Sequence, residues 1–225
     1  MANLRDFLFY EEPGITLYCG DCREVLPLLR CPNTSYCLEA CDARCGPHVL
    51  VTDPPYGIAY NSGWSDEKRI RGDLDTSLRD CLLVEWGTKP ALVFGGSLIP
   101  RPVTVREVLI WSKGEWPGMG DLAFPWGPSH EEIYVIGNGF VGPREGTVIS
   151  VPRLTGLLRH PNEKPVQLLV RLIRKTVGTI VDPFAGSGTT LEAAKLLRRR
   201  AIGIEIEPKY CEIAVRRLRQ EVLPL

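Results

Sequence analysis

Two short stretches carry residue types suited to chemistry. The first, Asp53-Pro54-Pro55-Tyr56, directly follows the apolar run HVLVT at 48–52. Consecutive prolines fix the backbone and remove two N–H donors, which leaves carbonyls there free to accept hydrogen bonds. The Asp53 carboxylate and the Pro54 carbonyl could together hold an amino group on a flat ring, and Tyr56 offers an aromatic face for stacking. The second stretch runs Asp182-Pro183-Phe184-Ala185-Gly186-Ser187-Gly188-Thr189-Thr190. Glycines permit a tight turn and close approach of backbone to a ligand. The helix start beyond them presents N–H groups that favour an anionic group such as a carboxylate. Glu205 stands 19 residues past Gly186, where a dinucleotide-type fold places an acid on ribose hydroxyls. The Asp-Pro-Phe before the glycines and the threonines after them depart from GxGxxG, which favours S-adenosylmethionine over a nicotinamide cofactor.

These groups need a sheet edge to hold them. ITLY (15–18), HVLVT (48–52), ALVFGG (91–96), GTIVD (178–182) and AIGIE (201–205) read as strands, alternating with helices at 21–29, 76–86, 189–197 and 208–218 and one beginning at Pro165. Val25, Leu28 and Leu29 in the first helix, and Leu168, Leu169, Leu172 and Ile173 in the helix after Pro165, supply apolar stripes. VLIW (108–111), EIYVI (132–136) and TVISV (147–151) are expected to form an antiparallel part. The pattern predicts an α/β fold, a doubly wound and mostly parallel sheet in one domain spanning 1–225. Both chemical stretches follow strands, so both belong at the carboxyl edge, where ligands bind such sheets.

The composition is that of an ordinary globular chain, 44% hydrophobic and 24% charged. No long apolar run predicts a membrane span, and charges at Arg5, Asp6, Glu11 and Glu12 interrupt any signal-peptide pattern. A cytoplasmic location is expected. The formal net charge is zero, but 14 Lys/Arg against 7 Asp/Glu fall in residues 151–225. A basic third of that kind could meet phosphates, although solvated helix faces are the simpler explanation.

Taken together, the residues resemble the amino-methylating DNA methyltransferases, in the permuted β class whose catalytic tetrapeptide precedes the cofactor turn. The similarity runs from Leu17-Tyr18-Cys19-Gly20-Asp21 through Thr52–Gly57 and His160-Pro161-Asn162-Glu163-Lys164-Pro165 to Asp182–Thr190, Gly203–Glu207 and Tyr210. The resemblance implies a Rossmann-like S-adenosylmethionine-dependent methyltransferase fold with circularly permuted motif order. It implies that Asp53, Pro54, Pro55 and Tyr56 act on the target base. It also implies that Asp182 to Thr190 and Glu205 hold the cofactor, with Asp21, Cys22 and Lys164 as further contacts. DNA would be the substrate and the 6-amino group of adenine the acceptor. Cytosine 4-amino methylation is the rival, since that group more often carries serine where Asp53 stands. An RNA-base or protein-glutamine methyltransferase shares the tetrapeptide, and a non-enzymatic DNA-binding subunit would be expected to lose Asp53 or the glycines.

DNA-reading elements in this family lie ahead of the His160 segment, where only residues 137–159 are available. The polar loop 60–75, with Lys68, Arg69 and Arg71, is expected to be mobile and to contribute phosphate contacts. A second copy of the chain, a restriction enzyme or another partner protein could supply the rest. Cys31, Cys37, Cys41 and Cys45 lie in an insertion at 31–47. Four thiolates could hold zinc, but spacings of five, three and three residues lack paired CxxC ends, and reduced cysteines with no metal are the expectation. Trp111, Trp116 and Trp126 are expected to pack, with a base-lining role as the alternative; His130 and Glu131 are expected to be structural.

Overall fold

The computed structural model describes residues 3–29, 48–56, 75–96, 99–114, 123, 125–153 and 163–220. Alternating β-branched and amphipathic runs fold as nine strands and five helices among these residues. In chain order they are β1 (Leu8–Glu12), β2 (Ile15–Cys19), α1 (Cys22–Leu28), β3 (His48–Thr52), α2 (Ser77–Trp86), β4 (Ala91–Gly95), β5 (Val105–Ser112), β6 (His130–Ile136), β7 (Val148–Ser150), α3 (Val166–Ile173), β8 (Thr179–Asp182), α4 (Thr189–Leu196), β9 (Ala201–Glu205) and α5 (Pro208–Leu218). One sheet has the order β1-β2-β9-β8-β3-β4-β6-β5-β7.

Side chains on a strand alternate between faces, and here each face has its own cover. Val49, Val51, Leu92 and Phe94 pack with the apolar stripes of α3, α4 and α5, including Leu168, Leu172, Leu191 and Ala214. Leu50, Ala91, Val93 and Tyr134 point the other way, onto Leu82 and Leu83 of α2. On the same face as α2, α1 contributes Cys22 and Val25 to a cluster with Tyr18 and Ile204. The sheet is therefore doubly wound. Its order reverses between β8, which continues through α4 to β9, and β3, which continues through α2 to β4. Those neighbours run parallel, with Leu50 opposite Val181, so their carboxyl ends open one crevice between them.

Several expectations are refined. The predicted antiparallel group is only partly antiparallel: β6 opposes both β4 and β5, whereas β7 runs parallel to β5 through Ile110↔Val148. Leu28 of α1 is exposed, because the buried face is the i, i+3 set Cys22 and Val25, with Leu26 and Leu29 beside it. A hairpin of β1 with β2 turns at Pro13-Gly14, where Gly14 has φ +87°. Of residues 137–159, where target recognition is expected, residues 137–153 are described and supply β7. The Cys-rich insertion 31–47 and the loop 60–75, apart from Asp75, lie outside the described residues.

Among the described residues no helix is long and apolar enough to cross a membrane.

Candidate active site

At the end of β8, Asp182 is buried and accepts from the Thr52 hydroxyl at 2.8 Å and from the Phe184 N–H at 3.1 Å. Burial pushes its carboxyl up to about 6, against hydrogen bonds from Thr190 and Thr52 that act the other way. The turn that follows is held from the next strand. Glu205, at the end of β9, accepts the Gly186 N–H and the Glu207 N–H at 2.8 Å each, one on each oxygen. Burial raises the Glu205 carboxyl too. Gly188 has φ +81°, and a Cβ there would lie 2.7 Å from the Ala214 Cβ. Glycine is thus required both for the backbone angle and for the approach of α5.

Behind this turn stands a buried guanidinium. Arg217 of α5 pairs with Glu192 of α4 at 2.7 Å and with Glu163, and it donates to the Ser187 hydroxyl at 3.4 Å. One side chain therefore ties α5, α4, the glycine turn and the stretch leading into α3. Pro183, Ala185, Thr189 and Thr190 are buried in the same turn, with Phe184 half-buried. Asp21 caps α1 by accepting the Arg23 N–H at 2.9 Å, and the Arg23 guanidinium pairs with the same carboxylate. Cys22 begins that helix with its thiol buried, pushed up to about 12 by burial and by the Asp21 charge. Its side chain faces the Tyr18–Ile204 cluster.

The Thr52–Asp182 bond ties the end of β3 to the strand end that opens the glycine turn, and the charge of the next residue, Asp53, acts on Asp182. Sequence reasoning put Lys164 beside the cofactor. The structure puts its ammonium on Asp53 Oδ2 at 2.6 Å and on Glu131 at 3.2 Å. Lys113 pairs with the other Glu131 oxygen at 2.6 Å, and the Tyr56 hydroxyl donates to Glu131 Oε2 at 3.3 Å. The Lys164 ammonium also lies 5.7 Å from the centre of the Tyr56 ring and 5.2 Å from that of Phe94. Asp53 Oδ1 is buried without a hydrogen-bond partner among the described residues.

A buried acceptor left open in this way costs free energy unless a ligand completes it. Burial raises the Asp53 carboxyl, Lys164 opposes that, and the Glu131 charge adds to it. Burial would raise Glu131 as well, but Lys164 and Lys113 outweigh it and hold that carboxyl low. Lys164 stays charged because its two carboxylates outweigh its burial. Tyr56 is raised well above the ordinary phenol range by burial and by both carboxylates.

Topology explains why these groups meet. A strand running against its neighbours begins where they end, so the start of β6 sets Glu131 at the carboxyl edge beside β4. A crossover helix likewise starts at that edge, and Lys164 precedes α3. Glu131 joins Lys113, Lys164 and Tyr56, and the sequence signal for such a position is an acid at the mouth of a strand that reverses direction. His130 is exposed. Trp111 packs in the core, its indole N–H donating to the Val151 carbonyl at 2.8 Å, while Trp126 is exposed. Trp116, Lys68, Arg69, Arg71 and the stretch from His160 to Asn162 lie outside the described residues. Arg199, at the opposite edge of the sheet, donates to the Thr176 carbonyl at 2.8 Å and closes the turn before β8.

Residues 105–216 match the family model described as DNA methylase. The putative methylase YubD of Escherichia coli K12 is 36% identical over 196 residues, covering 75% of this chain and 80% of that relative. The chain belongs to the DNA methylase family.

Shorter matches join it to type II methyltransferases. M2.DpnII of Streptococcus pneumoniae is 50% identical over 66 residues, 28% of this chain and 25% of that relative. The match thus spans about a quarter of the length of that curated relative. The fold is shared with M1.HpyAVI, solved as a complex with SAM, at a TM-score of 0.56 and 19% identity over 90% of this chain and 99% of that one. It is shared also with the cytosine-N4-specific PvuII DNA methyltransferase, at a TM-score of 0.58 and 16% identity over 96% of this chain and 92% of that one. The family's fold is therefore a mostly parallel α/β sheet that this chain reproduces.

Proposed function

We propose that this protein transfers a methyl group from S-adenosylmethionine to the 6-amino group of adenine in DNA. The observation that carries the reading is the 2.8 Å bond from Thr52 to Asp182, which ties the strand end before the Asp53 tetrapeptide to the strand end that opens the glycine turn. The turn fits the cofactor. No side chain among the described residues caps α4, so its first N–H groups are available to an amino-acid carboxylate. Glu205 uses each oxygen once on backbone N–H groups and keeps lone pairs for ribose hydroxyls. Asp182 and Asp53 supply negative charge where a sulfonium would lie.

When bound, S-adenosylmethionine supplies an electrophilic methyl group on sulfur. The protein's own part is to position and polarise the acceptor. The target base leaves the duplex, at a cost of a few kcal/mol, and stacks on Tyr56. Its amine donates to Asp53 Oδ1 and to the Pro54 carbonyl, which turns the nitrogen lone pair toward the cofactor side. Transfer of the methyl group would leave S-adenosylhomocysteine and a positive nitrogen, whose extra proton would pass to water. Asp53 stabilises that charge, so alignment and fixed electrostatics do the catalysis. A carboxylate at position 53, where the cytosine group more often has serine, supports adenine as the acceptor.

The test is to incubate the protein with plasmid DNA and isotopically labelled S-adenosylmethionine, then digest to nucleosides and identify the product by mass spectrometry. Labelled N6-methyladenine is expected. Labelled N4-methylcytosine would overturn the choice of base, and unlabelled DNA would overturn the function.

A further inference from the structure

Glu131 lies outside the tetrapeptide and the glycine turn, yet it contacts Tyr56 of the tetrapeptide and the lysine that pairs with Asp53. It sits at the start of β6 with a side chain only 17% exposed, and it binds three groups from three other stretches. Oε1 takes the Lys113 ammonium at 2.6 Å. Oε2 takes both the Lys164 ammonium at 3.2 Å and the Tyr56 hydroxyl at 3.3 Å. Lys164 in turn occupies Asp53 Oδ2 at 2.6 Å, which leaves Oδ1 as the open acceptor. A lysine held by Asp53 alone could swing on its four-carbon stem; anchored by two carboxylates, it fixes the plane of the Asp53 carboxylate.

We propose that Glu131 is a positioning residue for the transfer, acting through Lys164 on the acceptor Asp53 and through the Tyr56 hydroxyl on the stacking ring. The inference rests on the methyltransferase reading above. Among the described residues, the charged and titratable groups facing Asp53 are Lys164 ahead of α3, Glu131 of β6, Tyr56 after β3 and Asp182 of β8, with Lys113 after β5 pairing to Glu131. Two of these act on Asp53 with opposite sign: the Glu131 charge favours its protonated form and the Lys164 charge its carboxylate.

The experiment compares the wild type with Glu131→Gln in steady-state methylation of plasmid DNA across pH, with cofactor binding measured separately. Loss of the anchor should lower kcat about 10- to 100-fold, as small misplacements of catalytic groups do. Affinity for S-adenosylmethionine should stay within about threefold, because the polar partners of Glu131 among the described residues are Lys113, Lys164 and Tyr56 rather than the glycine turn. The acid limb of the pH profile should move to lower pH, since the charge that favours Asp53 protonation is gone. Lys164→Gln should move the same limb to higher pH. A residue that merely supports the fold would not produce these opposite displacements.

A Glu131→Gln enzyme with kcat within twofold of wild type, or with an unmoved or upward-shifted limb, would overturn the inference while leaving the methyltransferase reading intact. A wild type that methylates no DNA overturns both. Should Glu131→Gln lose cofactor binding along with its fold, Glu131→Asp serves instead. It keeps the charge and shortens the reach, so kcat should fall with the acid limb in place, and an unchanged kcat would refute the role.

Discussion

The glycine-turn side of the crevice comes from one continuous run, Thr179 to Leu218, whereas the base side draws on four separate stretches carrying Asp53 to Tyr56, Lys113, Glu131 and Lys164. The first is held mostly within that run, by a strand, a turn, a helix and a second strand whose terminal acid reaches back to the Gly186 N–H, with Thr52 and Glu163 as contacts from outside it. The second is held by charge across the sheet, with two lysines and two carboxylates alternating from Lys113 to Asp53. A locally built turn can be formed as soon as its own segment folds. A non-local cluster exists only when β3, β6 and α3 are all in place. The difference predicts which property each side controls.

The largest effect should fall on the base side. Asp53→Ala removes the open acceptor, and methylation should drop by about 10²- to 10³-fold, the range for deletion of a charge-stabilising group. Cofactor affinity, read by calorimetry, should stay within about threefold. A variant that lost binding and turnover together would show that the two sides are not separable as described.

A smaller effect, on stability, belongs to the turn side. Asp182 rises from 3.8 to about 6 through burial. A group raised in this way favours folding fully below its unfolded value of 3.8, and that contribution is lost as pH climbs through about 6. The loss amounts to roughly 3 kcal/mol. Asp182→Asn keeps acceptors for Thr52 and Phe184 without the charge. Its stability relative to wild type, measured by urea unfolding, should therefore improve between pH 4 and pH 7. A constant difference across that range would mean that Asp182 is not held in the buried environment described.

The contrast also explains what could be read from the chain. The run from β8 to α5 was legible because each of its signals is local. Ala201–Glu205 and Pro208–Leu218 form the strand and helix expected, and Pro165 stands immediately before α3, one position from the predicted start. The β1–β2 hairpin carries the Pro13-Gly14 turn signal, but in the sequence Glu11 and Glu12 read as charges against a leader rather than as an edge strand. The parallel pairing of β7 with β5 depends on a partner nearly forty residues away, and no periodicity encodes that. Glu131 illustrates the same limit. Its importance comes from the direction of β6, and nothing in His130-Glu131-Glu132 distinguishes the acid that meets Lys164 from its neighbour, which pairs with Arg101 at 2.6 Å on the far side. Lys164 was picked out by resemblance, but its partner Asp53 lies 111 residues earlier and emerged only from the fold.

The central claim is that one crevice holds both the donor and an everted base. The most direct measurement is a crystal structure of the protein with S-adenosylmethionine and a duplex carrying its target adenine. The account predicts the amino nitrogen within hydrogen-bond reach of Asp53 Oδ1 and about 3 to 3.5 Å from the methyl carbon, in line with the breaking C–S bond. A complex in which the cofactor occupied the glycine turn while the base bound away from Asp53 would contradict it.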